Sequence, residues 1–509
     1  MIRFVCPLLF FWILTITPLT VSAAELQPVK YVFLFIGDGM SFPQQQLAEE
    51  FVRKTENRGL LLNNAMPYQA ITATYAANAF ITDSAAAGTA IACGVKTNNG
   101  MLGVTPNGER VESIAEVAHK SGRKVGIITS VILNHATPAA FYAHNTGRGN
   151  AYDIGLDLVA SGFDYFGGGG IDRHNDTEAE RYGGSIYDLA KEAGYTVCRT
   201  EAEVRALKPG VGKVIALGNE GALPYAIDST EGLRLPDFTK QAIELLDNPN
   251  GFFMMVEGGK IDWACHANDG AATLFDLIEF DNAIAVAFEF AEQHPNDVLI
   301  VVTGDHETGA LTLRNPGSLQ IHVNLLANQK ASYDVIASST RRLIRDNGAG
   351  ATFEQIKPFI TEMCGLVFSD TERPRTGNVI LTADEVRELE TNFAVSKAAV
   401  LANQSEGRDV LARTMVRLLN NKSGLYWGHG DHSALPVETS TWGNQAAEVA
   451  LGIRDNTDIA KQLKQVVKPL SERRVMPQHA VLPPLSSPRF TQGGLPIDVN
   501  NQHVIPSPF

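Results

Sequence analysis

Four stretches of the chain are apolar without alternation and then stop at polar residues. "YVFLFIGDGM" ends at Asp38, "KVGIITSVILNHATP" at His135 and Thr137, "GFFMMVEGGKID" at Glu257 and Asp262, and "DVLIVVTGDHET" at Asp305 and His306. A strand with one wet face alternates between apolar and polar residues, so unbroken runs predict strands buried on both faces of a parallel sheet. Helical spacing fills the intervals: "RVESIAEVAHKSG" precedes the second run, and "ATLFDLIEFDNAIAVAFEFAEQH" lies between the third and fourth. The alternation predicts an α/β fold, a doubly wound, mostly parallel central sheet flanked by helices. Such sheets bind ligands outside the carboxyl ends of their strands, which is where each of these polar residues falls.

A fifth stretch has a different character. In "FITDSAAAGTAIACGVKTNNG" an apolar pair leads into Thr82, Asp83 and Ser84, and small residues follow almost without interruption. One reading is a helix cap, since Thr, Asp and Ser all accept hydrogen bonds from free backbone N–H groups at a helix start. The other is a nucleophile. A serine in the first helical turn sits where N–H groups and the positive end of the helix dipole receive an anion such as phosphate.

Composition narrows the partners. The chain has 509 residues, 44% hydrophobic and 19% charged, a globular balance with length for a large core. Its net charge of −14 argues against a nucleic-acid partner, because no basic stretch could neutralise a phosphate backbone. A small anion would need a locally positive site, which bound metal ions provide. The donors are of the right kinds: Asp and His suit zinc, and a carboxylate with a hydroxyl and water suits magnesium. Asp262 and His266 are four apart and share a face if a helix begins there. Asp305 and His306 are adjacent and converge only on a turn after a strand.

The two ends of the chain differ from the middle. Residues 1–23 have a basic start, an apolar middle broken by Pro7 and Pro18, and "VSA" as a small-residue cleavage site. This is the pattern of a cleaved signal peptide, and predicts an exported protein, periplasmic or extracellular, with no membrane anchor after cleavage. Export permits disulfides; Cys93, Cys198, Cys265 and Cys364 allow three complete pairings, and their spacing does not choose among them. Residues 24–470 are expected to form one catalytic domain. Within it "YDVIASSTRRLIRDN", "TFEQIKPFITEMCG" and "LTADEVRELETNFAV" have helical spacing, so about 320–425 reads as a helical insertion. "GFDYFGGGG" reads as a turn rather than a phosphate cradle, since no lysine or helix start follows it. The Pro-rich stretch 471–509 lacks periodicity and reads as an extended tail.

Taken together, "TDSAAAGTAIACGVKTNNGMLGV", "GDGM", "HATPAAFYAHNTGR", "VEGGKIDWACHAND" and "VTGDHET" resemble the nucleophile, metal and phosphate segments of alkaline phosphatases. The resemblance is close over about residues 30–310 and looser over 425–470. It implies a metal-dependent phosphomonoesterase acting on small phosphate monoesters through a phosphoserine, with two Zn2+ and one Mg2+ per chain and a possible homodimer. By the same resemblance Ser84 is the serine that is transiently phosphorylated, and Arg148 clamps phosphate oxygens. Asp38 is shared between one zinc and the magnesium, and Asp305 and His306 complete that zinc. Asp262 and His266 hold the second zinc, and Thr137 and Glu257 hold the magnesium. His135 and Trp263 stand at positions that vary in the family and tune the third metal site. A histidine there removes one negative charge.

The third ligand of the second zinc is expected near the carboxyl end. Aligning "TSTWGNQAAEVALGI" with the family's last motif puts Thr441 in the ligand position, a poor zinc donor at neutral pH. Aligning "GDHSALPV" puts His432 there, with His429 three residues away as the fallback. His432 supplies the right atom, a neutral imidazole nitrogen. Rival functions are a phosphodiesterase or related hydrolase of the same superfamily, or a phosphate- or metal-binding protein without turnover. Ser84 and Arg148 together argue against the last.

Overall fold

The structure, a computed structural model, describes residues 28–56, 58–175, 184–229, 231–368, 379–404 and 409–469. The leader-like segment 1–23 and the tail 471–509 lie outside the described residues. Nine strands make the central sheet: β1 (Tyr31–Gly37), β2 (Tyr68–Thr72), β3 (Lys124–Thr129), β4 (Tyr165–Gly168), β5 (Tyr195–Cys198), β6 (Lys213–Leu217), β7 (Phe252–Gly258), β8 (Val298–Gly304) and β15 (Val437–Gly443). Between β8 and β15 come six short strands: β9 (Glu307–Thr308), β10 (Leu311–Leu313), β11 (Leu366–Val367), β12 (Val379–Ile380), β13 (Leu425–Trp427) and β14 (His432–Ser433).

The sheet order is β2-β15-β8-β1-β7-β3-β4-β6-β5. From β8 to β5 every pairing is parallel, and β15 runs antiparallel to both β8 and β2. The four unbroken apolar runs are the four central strands, and β1, β7 and β8 are buried along their whole length. Both faces of β1 are dry because successive side chains point to opposite sides. Phe33 and Phe35 join one core with Phe252, Phe280 and the helix Gly270–Gln293. Val32, Leu34 and Ile36 join the other with Ile114, Leu158 and Leu463.

Register places the chemistry. Gly37 at the end of β1 stands opposite Gly258 of β7 and Gly304 of β8, and Glu257 stands opposite Thr129 of β3. The residues that follow these ends therefore emerge on one rim. The three later stretches with helical spacing are helices, Tyr333–Asn347, Phe353–Cys364 and Ala383–Leu401, followed by Val410–Ser423. Chain leaves and returns through the antiparallel pair of β10 and β13, where Leu311 faces Trp427.

One expectation changes, and one open question closes. The "GFDYFGGGG" stretch is not a turn throughout, because its middle, Tyr165–Gly168, is β4. Glycine's weak strand preference hid it, but a Cβ on Gly168 would come 2.0 Å from the Thr129 carbonyl oxygen, so glycine lets β3 and β4 close at that end. The four cysteines form none of the three pairings; all are buried as free thiols. Among the described residues no helix is long and apolar enough to cross a membrane.

The small residues after Ser84 have a packing reason. All ten residues of the helix Ser84–Cys93 are buried, and a Cβ on Gly88 would sit 3.2 Å from Ala140 Cβ and 3.4 Å from Thr137 Cα. Gly88→Val is expected to overpack this contact and cost about 1–3 kcal/mol, measured as a lowered midpoint of chemical denaturation.

Candidate active site

Asp83 and Ser84 divide the work at the mouth of their helix. Asp83 is the N-cap: one carboxylate oxygen accepts from Ala86 N at 2.9 Å. The other accepts from Gly100 N at 3.0 Å and from Arg148 Nη1 at 3.1 Å. Ser84 is thereby released from capping. It is 2% exposed, and its Oγ lies 3.2 Å from His306 Nε2. Arg148 Nη2 lies 3.3 Å from His135 Nε2, so the guanidinium closes one side of the same pocket.

Three overlapping groups of donors meet there, each with its ligand atoms within 4.8 Å of one another: Asp38 with Asp305 and His306; Asp262 with His306 and His432; and Asp38 with His135 and Glu257. His266 joins the second group, 3.3 Å from one Asp262 oxygen and 3.2 Å from His432 Nε2. Thr137 Oγ1 is 3.4 Å from Asp38 Oδ2. All eleven residues expected from the sequence as nucleophile, phosphate clamp or metal donor thus surround one pocket. Of the competing late residues, His429 is exposed, with Nδ1 accepting from Asp431 N at 3.2 Å. Thr441 is buried in β15 and donates to Ala446 O.

The donors fit cations. Asp38, Glu257 and Asp305 are wholly buried, yet Asp38 Oδ1, Glu257 Oε1, Asp305 Oδ2 and His135 Nδ1 have no hydrogen-bond donor or acceptor partner. Burial, with the neighbouring Asp305, Asp262 and Glu257, pushes the Asp38 carboxyl well above the usual range, and burial with Asp262 does the same to Asp305. Burial pushes Asp262 up as well, but a hydrogen bond from His266 and the nearby His306, His266 and His432 outweigh it and hold it low. Burial, and then the neighbouring His432, push His306 well below the usual imidazole range. Buried acids that raise one another are the signature of a site completed by positive charge.

Tautomers are set from behind. A carbonyl can only accept, so His432 Nδ1 donates to Thr82 O at 2.8 Å, and His266 Nδ1 donates to Gly430 O at 2.6 Å. Both rings then turn Nε2, the atom a metal ion would take, toward Asp262. Thr308 does the same for His306: its Oγ1 donates to Asp262 Oδ1 at 2.6 Å and so accepts from His306 Nδ1 at 3.3 Å. Thr129 Oγ1 donates to Glu257. Sequence reasoning missed Thr129 and Thr308; their signal was position alone, beside strand ends already assigned to ligands.

A sequence model described as "Alkaline phosphatase" matches residues 29–468. The chain belongs to the alkaline phosphatase family. Alkaline phosphatase 4 of Bacillus subtilis is 29% identical over 461 residues, spanning 86% of this chain and 89% of that relative. Among solved structures, the cold-active alkaline phosphatase of a psychrophilic Shewanella species is 27% identical with a TM-score of 0.72, covering 86% of this chain and all of that one. Thermus thermophilus alkaline phosphatase is 26% identical with a TM-score of 0.71, covering 87% and 92%. Family, fold and donor clusters agree on a metal-dependent phosphomonoesterase.

Within this alkaline phosphatase frame, Asp83 separates two effects. Asp83→Ala is expected to lose about 1 kcal/mol of stability with the helix cap and to lower kcat/KM by freeing Arg148. Asp83→Asn keeps an acceptor for Ala86 N, so its denaturation midpoint falls less while kcat/KM falls as far.

Proposed function

We propose that this chain hydrolyses phosphate monoesters in two displacements at Ser84. Ser84 Oγ attacks phosphorus in line with the leaving oxygen, the ester P–O bond breaks, and the alcohol departs with a proton. Water then attacks the phosphoserine, the bond from phosphorus to Oγ breaks, Ser84 regains its proton and inorganic phosphate leaves. The observation that carries this reading is the position of Ser84. It stands buried at a helix N-terminus, freed from capping by Asp83, between Arg148 and carboxylates with buried oxygens that have no hydrogen-bond partner.

Asp38, Asp305 and His306 would hold one zinc, Asp262, His266 and His432 the second, and Asp38, Thr137 and Glu257 a magnesium beside His135. When bound, these ions supply Lewis-acid charge to the nucleophile, the leaving oxygen and the phosphate. Arg148, anchored through one guanidinium nitrogen by Asp83, offers its remaining N–H groups to equatorial phosphate oxygens. Charge spread over those oxygens in the transition state needs positioning and electrostatics more than covalent help. His135 stands where an acid would bring one more negative charge, which leaves the third site a weaker cation holder than the two zinc sites. Segment 1–23 would direct the enzyme out of the cytoplasm, with 24–470 as its catalytic domain.

Chelation with EDTA is expected to abolish release of nitrophenol from its phosphate monoester, and zinc with magnesium to restore it. Full activity in a preparation shown by elemental analysis to be free of zinc would overturn the assignment. Ser84→Ala is expected to bind zinc normally but to yield no phosphoenzyme on acid quench. Covalent phosphate on that variant would mean another nucleophile.

A further inference from the structure

His432 reaches the pocket by an insecure route. It follows the helices that lie between β10 and β13, and enters on β14, which pairs with β9 through two residues only: His432 opposite Thr308, and Ser433 opposite Glu307. So short a ladder has little stability of its own. We propose that Glu307 is a positioning residue whose buried carboxylate fastens β14 in place and so sets His432 as a metal donor. This rests on the reading of His432 as a zinc ligand.

Glu307 is wholly buried. Its partners are neutral donors from three directions. Oε1 accepts from Gln44 Nε2 at 2.8 Å and from Leu311 N at 3.3 Å, and Oε2 accepts from Ser433 Oγ. The same Gln44 nitrogen donates to Thr308 O at 2.9 Å. Gln44 lies in the first turn of the helix Phe42–Thr55, which begins four residues after Asp38. One carboxylate therefore ties the Asp38 loop, the β9 segment after His306, and the strand that carries His432. Burying a carboxylate without a cation is costly unless its hydrogen bonds are met. A residue with only a packing role could have been apolar here, whereas the bond to Ser433, next to His432, specifies the register of β14.

The test measures zinc directly. Full-length wild type, Ser433→Ala, Glu307→Ala, Glu307→Gln and His432→Ala are loaded with zinc and equilibrated against a series of zinc buffers. Zinc per chain is then read by elemental analysis, alongside melting temperature. His432→Ala is expected to lose one zinc. Ser433→Ala and Glu307→Ala are expected to weaken one of the two zincs by about tenfold or more, with turnover recovering at excess zinc. Glu307→Gln should retain near wild-type affinity, because its amide oxygen still accepts from Gln44 and its NH2 can donate to Ser433 Oγ. Should Glu307→Ala fail to fold, Ser433→Ala carries the test. Wild-type zinc affinity in Ser433→Ala, with a lowered melting temperature and His432→Ala still losing its zinc, would reduce Glu307 to a packing role and overturn the proposal. Loss of zinc in Glu307→Gln equal to that in Glu307→Ala would also overturn it, by showing that charge acts rather than position. If His432→Ala keeps both zincs, the ligand reading itself fails and takes the proposal with it.

Discussion

Four buried carboxylates meet in one pocket, and the rest of the molecule is arranged around that repulsion. Asp38 has ligand oxygens within 4.8 Å of both Asp305 and Glu257. At that separation and an effective dielectric of about 20, each like-charged pair costs roughly 3 kcal/mol. Two such pairs are comparable with the whole stability of a folded domain, about 5–15 kcal/mol. Burial first, and the neighbouring acids second, push the Asp38 and Asp305 carboxyls well above the usual range. Divalent cations reverse the sign of the repulsion, so the cluster that strains the fold becomes its electrostatic centre and makes an acidic protein locally attractive to phosphate.

Only a rigid frame can hold such a cluster, and the parallel sheet provides it. β1, β7 and β8 end in register, so their acids emerge together on one rim. The helix that carries Ser84 comes close because its residues are small, down to Gly88 against Thr137 and Ala140. Hydrogen bonds behind the pocket then fix what the backbone leaves free. Thr82 O, Gly430 O and Thr308 Oγ1 set the three imidazole tautomers, and Asp83 aims Arg148. Fixed donors need no reorganisation as charge develops, which is where electrostatic catalysis gains most.

The part of this site that was legible in the sequence is the part built on strand ends. An unbroken apolar run that stops at Asp, Glu or His states both the strand and the residue at its tip, because burial on two faces leaves the chain no other place for a charge. Ser84 stood out as a polar residue at the start of a run of small ones, but that segment alone left a helix cap and a nucleophile both open, and the resemblance of the other motifs chose between them. β4 was not legible, because the glycines that follow Tyr165 and Phe166 read as a turn; Gly168 answers to the nearness of Thr129, a neighbour about forty residues away in the chain.

What the sequence by itself determined is therefore the kind of fold, the class of chemistry and the donors fixed by local spacing, such as Asp262 and His266 one helical turn apart. What only the tertiary structure decided is which distant groups complete them. His429 and His432 are alike in sequence, three residues apart in a polar loop. The pairing of β14 with β9 brings the second to Asp262 and leaves the first in solvent. Thr308 and Glu307 read as ordinary polar residues until the fold buries them against Asp262, Gln44 and Ser433. Hydrogen-bond partners separated by tens to hundreds of residues leave no periodic trace in a single chain, since periodicity records only which side of its own helix or strand a residue occupies.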